Sequence, residues 1–207
     1  MIGRALARLR GKRYGDYMWT ASGGKFWPLD PRPEDVLIED IARGLAHSCR
    51  YAGQCKRYYS VAEHSVLVSI AVERRALNDY PDDPERAREW ALAGLLHDAS
   101  EAYISDVIRP LKYQCELRGY RAAERRIERA IAARFTLDTS RMCTITIREM
   151  DDRILYDEIP EVITLPPSDA RRLGPDDARG LSLPIIGFGP VDAERLFLDR
   201  LNDIESS

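Results

Sequence analysis

The chain of 207 residues lacks the features that mark a membrane protein or a nucleic-acid-binding protein. No apolar run approaches the roughly 18 residues that a membrane span needs. The net charge of −3 gives no excess of basic residues for nonspecific contact with nucleic acid, which usually requires a basic domain. The N-terminus lacks the apolar middle of a signal peptide. We therefore expect a cytoplasmic protein without a membrane or nucleic-acid partner.

Cysteine is also scarce, and its arrangement argues against a metal site built from thiolates. The four residues Cys49, Cys55, Cys115 and Cys143 contain no Cys-x-x-Cys pair. We expect them to be reduced thiols, as is usual in a cytoplasmic protein. The length and the ordinary composition, with 44% hydrophobic and 31% charged residues, favour one globular domain.

The composition divides the chain into three regions. We assign residues 1–33 to an N-terminal extension and arm, residues 34–160 to a helical core, and residues 161–207 to a wrapping loop with a closing C-terminal helix on the same domain. The first region begins with a basic, weakly amphipathic stretch, residues 1–13, which we interpret as a mobile extension. The last region begins with a stretch rich in Pro and Gly, and an ordered loop of that length is often functional or an interface.

An aromatic-rich arm follows the basic stretch. Gly, Trp, Tyr and Pro are frequent between positions 14 and 33 without a helical period, which favours an irregular arm or a short hairpin around the Ser-Gly-Gly run at 22–24. Trp19, Phe26 and Trp27 are too apolar to leave in water, so we expect the arm to pack on the main body. A contact between the two chains of a homodimer is the alternative.

Helical periodicity dominates the remaining sequence and predicts an all-α fold. No convincing run of alternating strand residues and no internal repeat is apparent. Ser60 has the position of a helix N-cap, with Glu63 three residues later, which is the capping-box pattern. The predicted helices begin at Pro33 and after Ser60, continue over about residues 84–102, and cover residues 119–135, 141–159 and 190–204.

Residues 90–106 combine several potentially functional side chains, because an apolar helical segment leads there into one imidazole and three carboxylates. If the helix continues to residue 102, His97 points to the apolar face, and Glu101 lies beside both His97 and Asp98. Asp106 follows shortly afterwards. Burying a carboxylate without a partner costs several kcal/mol, so such a cluster needs compensation. A divalent metal ion would provide it.

Two more polar side chains face the predicted core. His64 shares its helix face with apolar residues at three-, four- and seven-residue spacings. Asp151 lies in line with apolar neighbours, whereas Asp152 shares its stripe with polar ones, so we expect Asp151 to point inward and Asp152 to lie at the rim. His47 is expected to be structural or exposed to solvent.

Four of these groups, carried by three helices, form a candidate metal site. Only a helical bundle can bring His64, His97, Asp98 and Asp151 together, because they are too far apart in sequence for a local motif. Two imidazoles and two carboxylates suit one divalent ion of Mn, Fe, Co, Ni or Zn, with Mg also open, and the ligands alone do not select among them. Four protein ligands would leave positions for water and a substrate oxygen.

The ordered set resembles the HD superfamily of metal-dependent phosphohydrolases. The strings Val-Ala-Glu-His-Ser (61–65) and Leu-Leu-His-Asp-Ala-Ser-Glu-x4-Asp-x5-Lys (95–112) are similar to the branch that contains the bacterial 5′-deoxynucleotidases and the phage-type HD hydrolases. The likeness covers about residues 35–160. It implies an all-α HD-domain bundle in which the four groups named above hold one divalent ion.

The resemblance also implies roles for other residues. Glu101 and Asp106 match family positions that orient the attacking water and assist proton transfer. Arg50 and Tyr51 fall near a family pair of arginine and aromatic residue implicated in substrate contact. Cations close to the acidic cluster can stabilise charge on phosphoryl oxygens. The candidates for that role are Arg50, Arg109 and Lys112.

These observations predict a phosphohydrolase whose small-molecule substrate is a nucleotide, most simply a deoxynucleoside 5′-monophosphate, cleaved by a metal-activated water. A dNTP triphosphohydrolase would use the same site and need more cationic contacts, for which Arg171 and Arg172 are candidates, with ordinary surface charges as the alternative. A non-catalytic nucleotide-binding or metal-binding protein is the alternative from another class. A cyclic-dinucleotide phosphodiesterase is disfavoured, because no Gly-Tyr-Pro run follows the His-Asp pair.

Overall fold

The structure, a computed structural model, describes residues 12–170 and 179–206. Most of the basic stretch at residues 1–13, together with Arg171 and Arg172, lies outside the described residues. The predicted all-α class is confirmed, since helices account for nearly all the regular structure and strands form a single small hairpin in the described part of the chain. Among the same residues, no helix is both long enough and apolar enough to cross a membrane.

The element order is a hairpin followed by nine α-helices in the described ranges. The strands are β1 (Met18–Trp19) and β2 (Lys25–Phe26). The α-helices are α1 (Ile38–His47), α2 (Val61–Asp79), α3 (Pro84–Leu95), α4 (Glu101–Ile104), α5 (Arg109–Lys112), α6 (Arg118–Phe135), α7 (Arg141–Val162), α8 (Pro167–Ala170) and α9 (Pro190–Ser206). Short 3-10 turns occupy Pro33–Asp35, Tyr51–Gly53 and Cys115–Leu117.

Helix α2 lies at the centre of the bundle and packs against α3, α7 and α9. The predicted N-cap is confirmed, because the Ser60 hydroxyl accepts a hydrogen bond from the backbone N–H of Glu63 at 3.1 Å. The reciprocal half of the capping box does not form. The Glu63 carboxylate instead accepts the backbone N–H groups of Ile186, Gly187 and Phe188, and thereby fixes the segment before α9 to the first turn of α2.

The aromatic arm packs on the bundle through one of its three large side chains. Phe26 is fully buried, and its ring stacks on Tyr103 with 3.8 Å between ring centroids. Trp27 is half-buried. The prediction was wrong for Trp19, which is 64% exposed on β1 and contacts the ring of Tyr17 and the ammonium group of Lys25. A homodimer through this arm stays a prediction.

Several helix boundaries differ from the predictions. The helix expected to reach residue 102 ends at Leu95, and five residues of turn precede α4. The helix expected at Pro33 is a 3-10 turn followed by α1, and the short helix α5, with Pro110 in its first turn, was not predicted. Helix α7 continues past Pro160 to Val162, because one missing N–H does not prevent the next turn from bonding.

Candidate metal centre

Three separate elements carry the predicted ligands. His64 lies in the first turn of α2 and is fully buried, while Asp151 lies in the middle of α7. His97 and Asp98 occupy the turn after α3. Because α2 packs on both α3 and α7, these elements bring His64, His97 and Asp98 into one group and place Asp151 beside His64.

The distances show how closely these groups meet. His64 Nε2 lies 3.2 Å from an oxygen of Asp151 and 3.7 Å from Asp98 Oδ2. His97 Nε2 lies 3.2 Å from the same Asp98 oxygen, and the two imidazole centroids are 5.2 Å apart. Within the described residues, His64, His97 and Asp98 each offer a ligand atom within 4.8 Å of the others, and this group can hold a metal ion. Asp151 adjoins it through His64.

The hydrogen bonds of the two imidazoles determine which nitrogen is free. His97 Nδ1 lies 2.8 Å from the carbonyl oxygen of Gly94, and His64 Nδ1 lies 2.6 Å from a carboxylate oxygen of Glu158. Both partners can only accept, so each Nδ1 is the donor. Each Nε2 is buried without a hydrogen-bond partner and faces carboxylates. A buried lone pair opposite a negative charge requires a cation between them, and a divalent ion fits that requirement.

Without a metal ion, a proton can provide part of that compensation. Burial lowers the pKa of His97, but the negative charges of the adjacent Asp98 and of Asp151 outweigh burial and raise the pKa to about 9. Burial raises the pKa of Asp151, but its close contact with His64 and the positive charge of protonated imidazoles lower it to about 2. Metal binding would therefore displace a proton from His97 and depend on pH.

Glu101 and Asp106 flank this centre. Glu101 is 5% exposed, with one oxygen 3.4 Å from the ammonium group of Lys112 and the other buried without a partner. Burial, followed by the charges of Asp98 and Asp106, raises the pKa of Glu101 to about 8. Burial also raises the pKa of Asp106, which is half-buried. Both carboxyl groups therefore hold protons more tightly than they would in water.

The prediction of how the chain positions Glu101 near His97 was partly wrong. The predicted position assumed one continuous helix in which Glu101 lies four residues after His97. The structure instead places a turn between α3 and α4, and His97 uses its ring nitrogen to bond the carbonyl of Gly94 near the end of α3. Ser105, with a φ of 65°, then redirects the chain after α4, so that Asp106 lines the same cavity.

The predicted substrate-binding cations are all engaged by carboxylates. Lys112 lies 2.8 Å from Glu124 in addition to its contact with Glu101. Arg50 is 3.1 Å from Glu158. Arg109 is 61% exposed at its side chain and lies 3.0 Å from Asp152. The rim position predicted for Asp152 agrees with its 63% side-chain exposure, and His47 is exposed as expected.

A cavity of about 1000 Å³ connects these groups. Its polar lining contains His97, Asp98 and Asp151, the two flanking acids, and the cations Arg109 and Lys112. The remaining wall is largely apolar, with contributions from Ile131, Leu137, Ile147, Leu155, Ile159 and Ile163. The cavity has the size and the mixture of apolar walls and convergent polar groups that are usual for a small-molecule site.

One functional candidate was missed by sequence reasoning. Glu158 is fully buried on α7, and its carboxylate accepts hydrogen bonds from His64, Tyr59, Tyr51 and Arg50. The sequence did contain one indication of this role, namely the spacing between Glu158 and Asp151. Glu158 follows Asp151 by seven residues, which places both on the same face of a helix. Its neighbour Asp157 made the pair resemble an ordinary charged stretch.

Comparison with known proteins places the chain among relatives without assigning an activity. No model of a known protein family matches it. The chain is similar to "Uncharacterized protein YfdR" of Escherichia coli, with 29% identity over 198 residues that span 91% of this chain and 95% of the relative. It is also similar to "Uncharacterized protein RCAP_rcc00048" of Rhodobacter capsulatus, with 42% identity over 118 residues, 56% of each chain. Neither name states a reaction, so a function has to be inferred from the site itself.

Proposed function

We propose that this protein is a metal-dependent phosphohydrolase of the HD type, and that it releases phosphate from a deoxynucleoside 5′-monophosphate. The observation that carries the proposal is the pair of buried imidazole Nε2 atoms that face Asp98 and Asp151, two acids that line the cavity together with His97. Proton-holding acids and cations line the same cavity. This combination suits hydrolysis of a phosphate ester.

The proposed ligands are His64, His97, Asp98 and Asp151, which would hold one divalent ion of Mn, Fe, Co, Ni or Zn, with Mg as a further option. When bound, such an ion lowers the pKa of a coordinated water and polarises a phosphoryl oxygen. The two imidazoles contribute neutral ligand nitrogens, because each donates its Nδ1 proton elsewhere. The two carboxylates balance the charge of the ion.

Glu101 and Asp106 supply the proton-transfer chemistry in this proposal. Glu101 orients the attacking water through a hydrogen bond, and its contact with Lys112 fixes the direction of the carboxyl group. Asp106 donates a proton to the oxygen of the leaving nucleoside. The raised pKa of Asp106 favours the protonated form, which is the form that this role requires.

The charges along the cavity favour a monophosphate over a triphosphate. Among the described cations of the lining, Arg50, Arg109 and Lys112 each already contact a carboxylate, and Arg148 alone has no such contact, so little uncompensated positive charge is available. A triphosphate brings more negative charge into the site and needs a stronger cationic surface. The apolar wall offers a place for the base, and Arg50 and Tyr51 are the proposed substrate contacts in the polar lining.

The proposal is tested by metal reconstitution and product analysis. Protein stripped by a chelator is loaded with each metal and incubated with deoxynucleoside monophosphates and triphosphates. We expect inorganic phosphate from the monophosphates and no triphosphate from dATP. Release of triphosphate would identify a triphosphohydrolase, and metal binding without turnover of any phosphoester would identify a binding protein.

Neighbouring residues provide matched variants for the same assay. Asp151→Asn should abolish turnover, whereas Asp152→Asn, the identical change at the exposed next position, should leave at least half of it. Asp106→Asn should lower turnover at least 100-fold, in the range expected for loss of a general acid. Near-normal turnover in Asp106→Asn would contradict the role assigned to this residue.

A further inference from the structure

The carboxylate of Glu158 is the centre of a buried hydrogen-bond network that none of the proposed catalytic steps uses. It is 0% exposed and accepts hydrogen bonds on both oxygens. One oxygen receives His64 Nδ1 at 2.6 Å and the Tyr59 hydroxyl at 2.8 Å. The other receives the Tyr51 hydroxyl at 2.6 Å and the Arg50 guanidinium at 3.1 Å. Four donors converge on one group that has no donor of its own.

The first oxygen decides which nitrogen of His64 can bind a metal. A carboxylate can only accept a hydrogen bond, so the Nδ1 of His64 must carry the proton. In the neutral ring, which is the form that binds a metal, the lone pair then lies on Nε2, which points toward Asp98 and Asp151. With the opposite tautomer, a lone pair on Nδ1 would face a buried carboxylate, and Nε2 would have no capacity to coordinate.

The second oxygen of Glu158 fixes the position of the turn that contains Tyr51 and Ala52. Tyr51 and Ala52 both adopt positive φ values, 56° and 52°, which are unfavourable for residues other than glycine. Such a turn persists when its surroundings hold it. The hydroxyl of Tyr51 and the guanidinium of Arg50 both bond to the same oxygen of Glu158. A glutamine at this position would offer only one accepting oxygen and therefore cannot serve both sides.

We propose that Glu158 is a positioning residue with two functions: it selects the metal-binding tautomer of His64, and it fixes Arg50 and Tyr51 beside the metal centre. The first function depends only on geometry within this chain. The second function rests on the proposed role of Arg50 and Tyr51 in substrate contact. The metal and the substrate site thus share one buried anchor on α7.

Nitrogen NMR on the unmodified protein tests the tautomer directly. The chain has three histidines, so a protein labelled with ¹⁵N-histidine gives a simple spectrum, and His47→Gln identifies the signal of the exposed one. In the metal-free protein, Nδ1 of His64 should carry a proton that exchanges slowly with water. Addition of Zn²⁺ should shift Nε2 of His64. A bare Nδ1, or Zn²⁺ coordinated through Nδ1, would overturn the proposal.

Metal affinity measures the consequence of removing the anchor. Glu158→Gln should weaken Zn²⁺ binding by about 10- to 100-fold in competition with a chelator, the range typical of lost partners of metal ligands. Glu161→Gln is the matched control, since it makes the same change on the same helix at an exposed position. It should change the affinity less than twofold. Equal affinity in Glu158→Gln and the control would refute the first function.

A second pair of variants separates positioning from simple support of the fold. Tyr51→Phe removes a donor from the oxygen that does not contact His64, so it should raise KM for the nucleotide about fivefold or more and leave Zn²⁺ affinity within twofold. Tyr59→Phe leaves the turn untouched and should not raise KM. If both variants showed the same rise in KM and the same loss of Zn²⁺ affinity, the effect would be general destabilisation, and the proposal would be contradicted. If no nucleotide is hydrolysed, the proposed function fails, while the tautomer and the Zn²⁺ affinity still decide the role of Glu158 toward His64.

Discussion

Replacing Glu101 by glutamine should stabilise the metal-free protein at alkaline pH while it abolishes turnover. The carboxyl group is 5% exposed and one of its oxygens has no hydrogen-bond partner, so the charged form is poorly solvated. A glutamine has the shape and the neutrality of the protonated acid. It also keeps an oxygen for Lys112, which retains its second contact with Glu124.

The size of the effect follows from the pKa of Glu101, which burial and the charges of Asp98 and Asp106 raise from 4.5 to about 8. Between these two pH values the folded protein keeps a proton that the unfolded chain has lost. The free energy of unfolding therefore falls as the pH rises, by up to about 1.4 kcal/mol per pH unit. The full difference between the two pKa values sets an upper limit of about 5 kcal/mol on this loss of unfolding free energy. Because water can enter the open cavity, we expect a loss of about 2 to 3 kcal/mol.

Urea unfolding between pH 5 and pH 9, with a chelator present, measures this effect. The wild type should lose stability across the interval, and Glu101→Gln should lose less, so that the two proteins match near pH 5 and the variant is more stable above pH 8. Glu205→Gln, an exposed position on α9, serves as the control and should follow the wild type. Parallel curves for all three proteins would refute the reasoning, because Glu101 would then titrate as an ordinary surface acid.

Three further results follow from other parts of the structure. A divalent metal at 100 times its dissociation constant should raise the free energy of unfolding by about 2.7 kcal/mol in calorimetry, and Asp151→Asn should remove this gain. Gly44→Ala would place a methyl group 2.7 Å from the side chain of Ala102, so urea unfolding should show a loss of about 1–3 kcal/mol, whereas Gly119→Ala meets no atom within 4 Å and should show none. Glu63→Gln should cost about 1–3 kcal/mol in the same assay, because three backbone N–H groups lose a charged acceptor. No loss in Gly44→Ala would contradict the close approach of α1 to Ala102, and no loss in Glu63→Gln would contradict the attachment of the segment before α9 to α2.

The parts of the site that lie on long helices could be predicted from the sequence. His64 and Asp151 each interrupt a continuous apolar stripe, and the helical period alone distinguishes Asp151 from Asp152. The turn around His97 could not be predicted in this way. Its geometry depends on a bond between the His97 ring and the carbonyl of Gly94, which no periodic pattern records.

Glu158 shows a different limit of sequence reasoning. Asp157 and Glu158 are adjacent acids on α7, but they differ in their partners. Asp157 accepts the backbone N–H groups of Leu181 and Ser182, whereas Glu158 is enclosed by donors from the residues before α2. A buried carboxylate is tolerated only where donors surround it, and those donors lie about 100 positions away in sequence. Its role is therefore a property of the folded chain.

The first turn of α2 explains how a ligand near a helix end can be held firmly. Helix ends fray because their first N–H groups lack partners inside the helix, and His64 is only the fourth residue of α2. Three contacts oppose fraying here: the Ser60 cap, the bond from the Val61 N–H to the carbonyl of Ser48 at 3.0 Å, and the attachment of the C-terminal segment to Glu63. Adjacent helix residues point in different directions, so Glu63 faces that segment while His64 faces the metal centre. The segment before α9 thus contributes to the site without touching it, and a loss of its contact with Glu63 should loosen His64 before it unfolds the bundle.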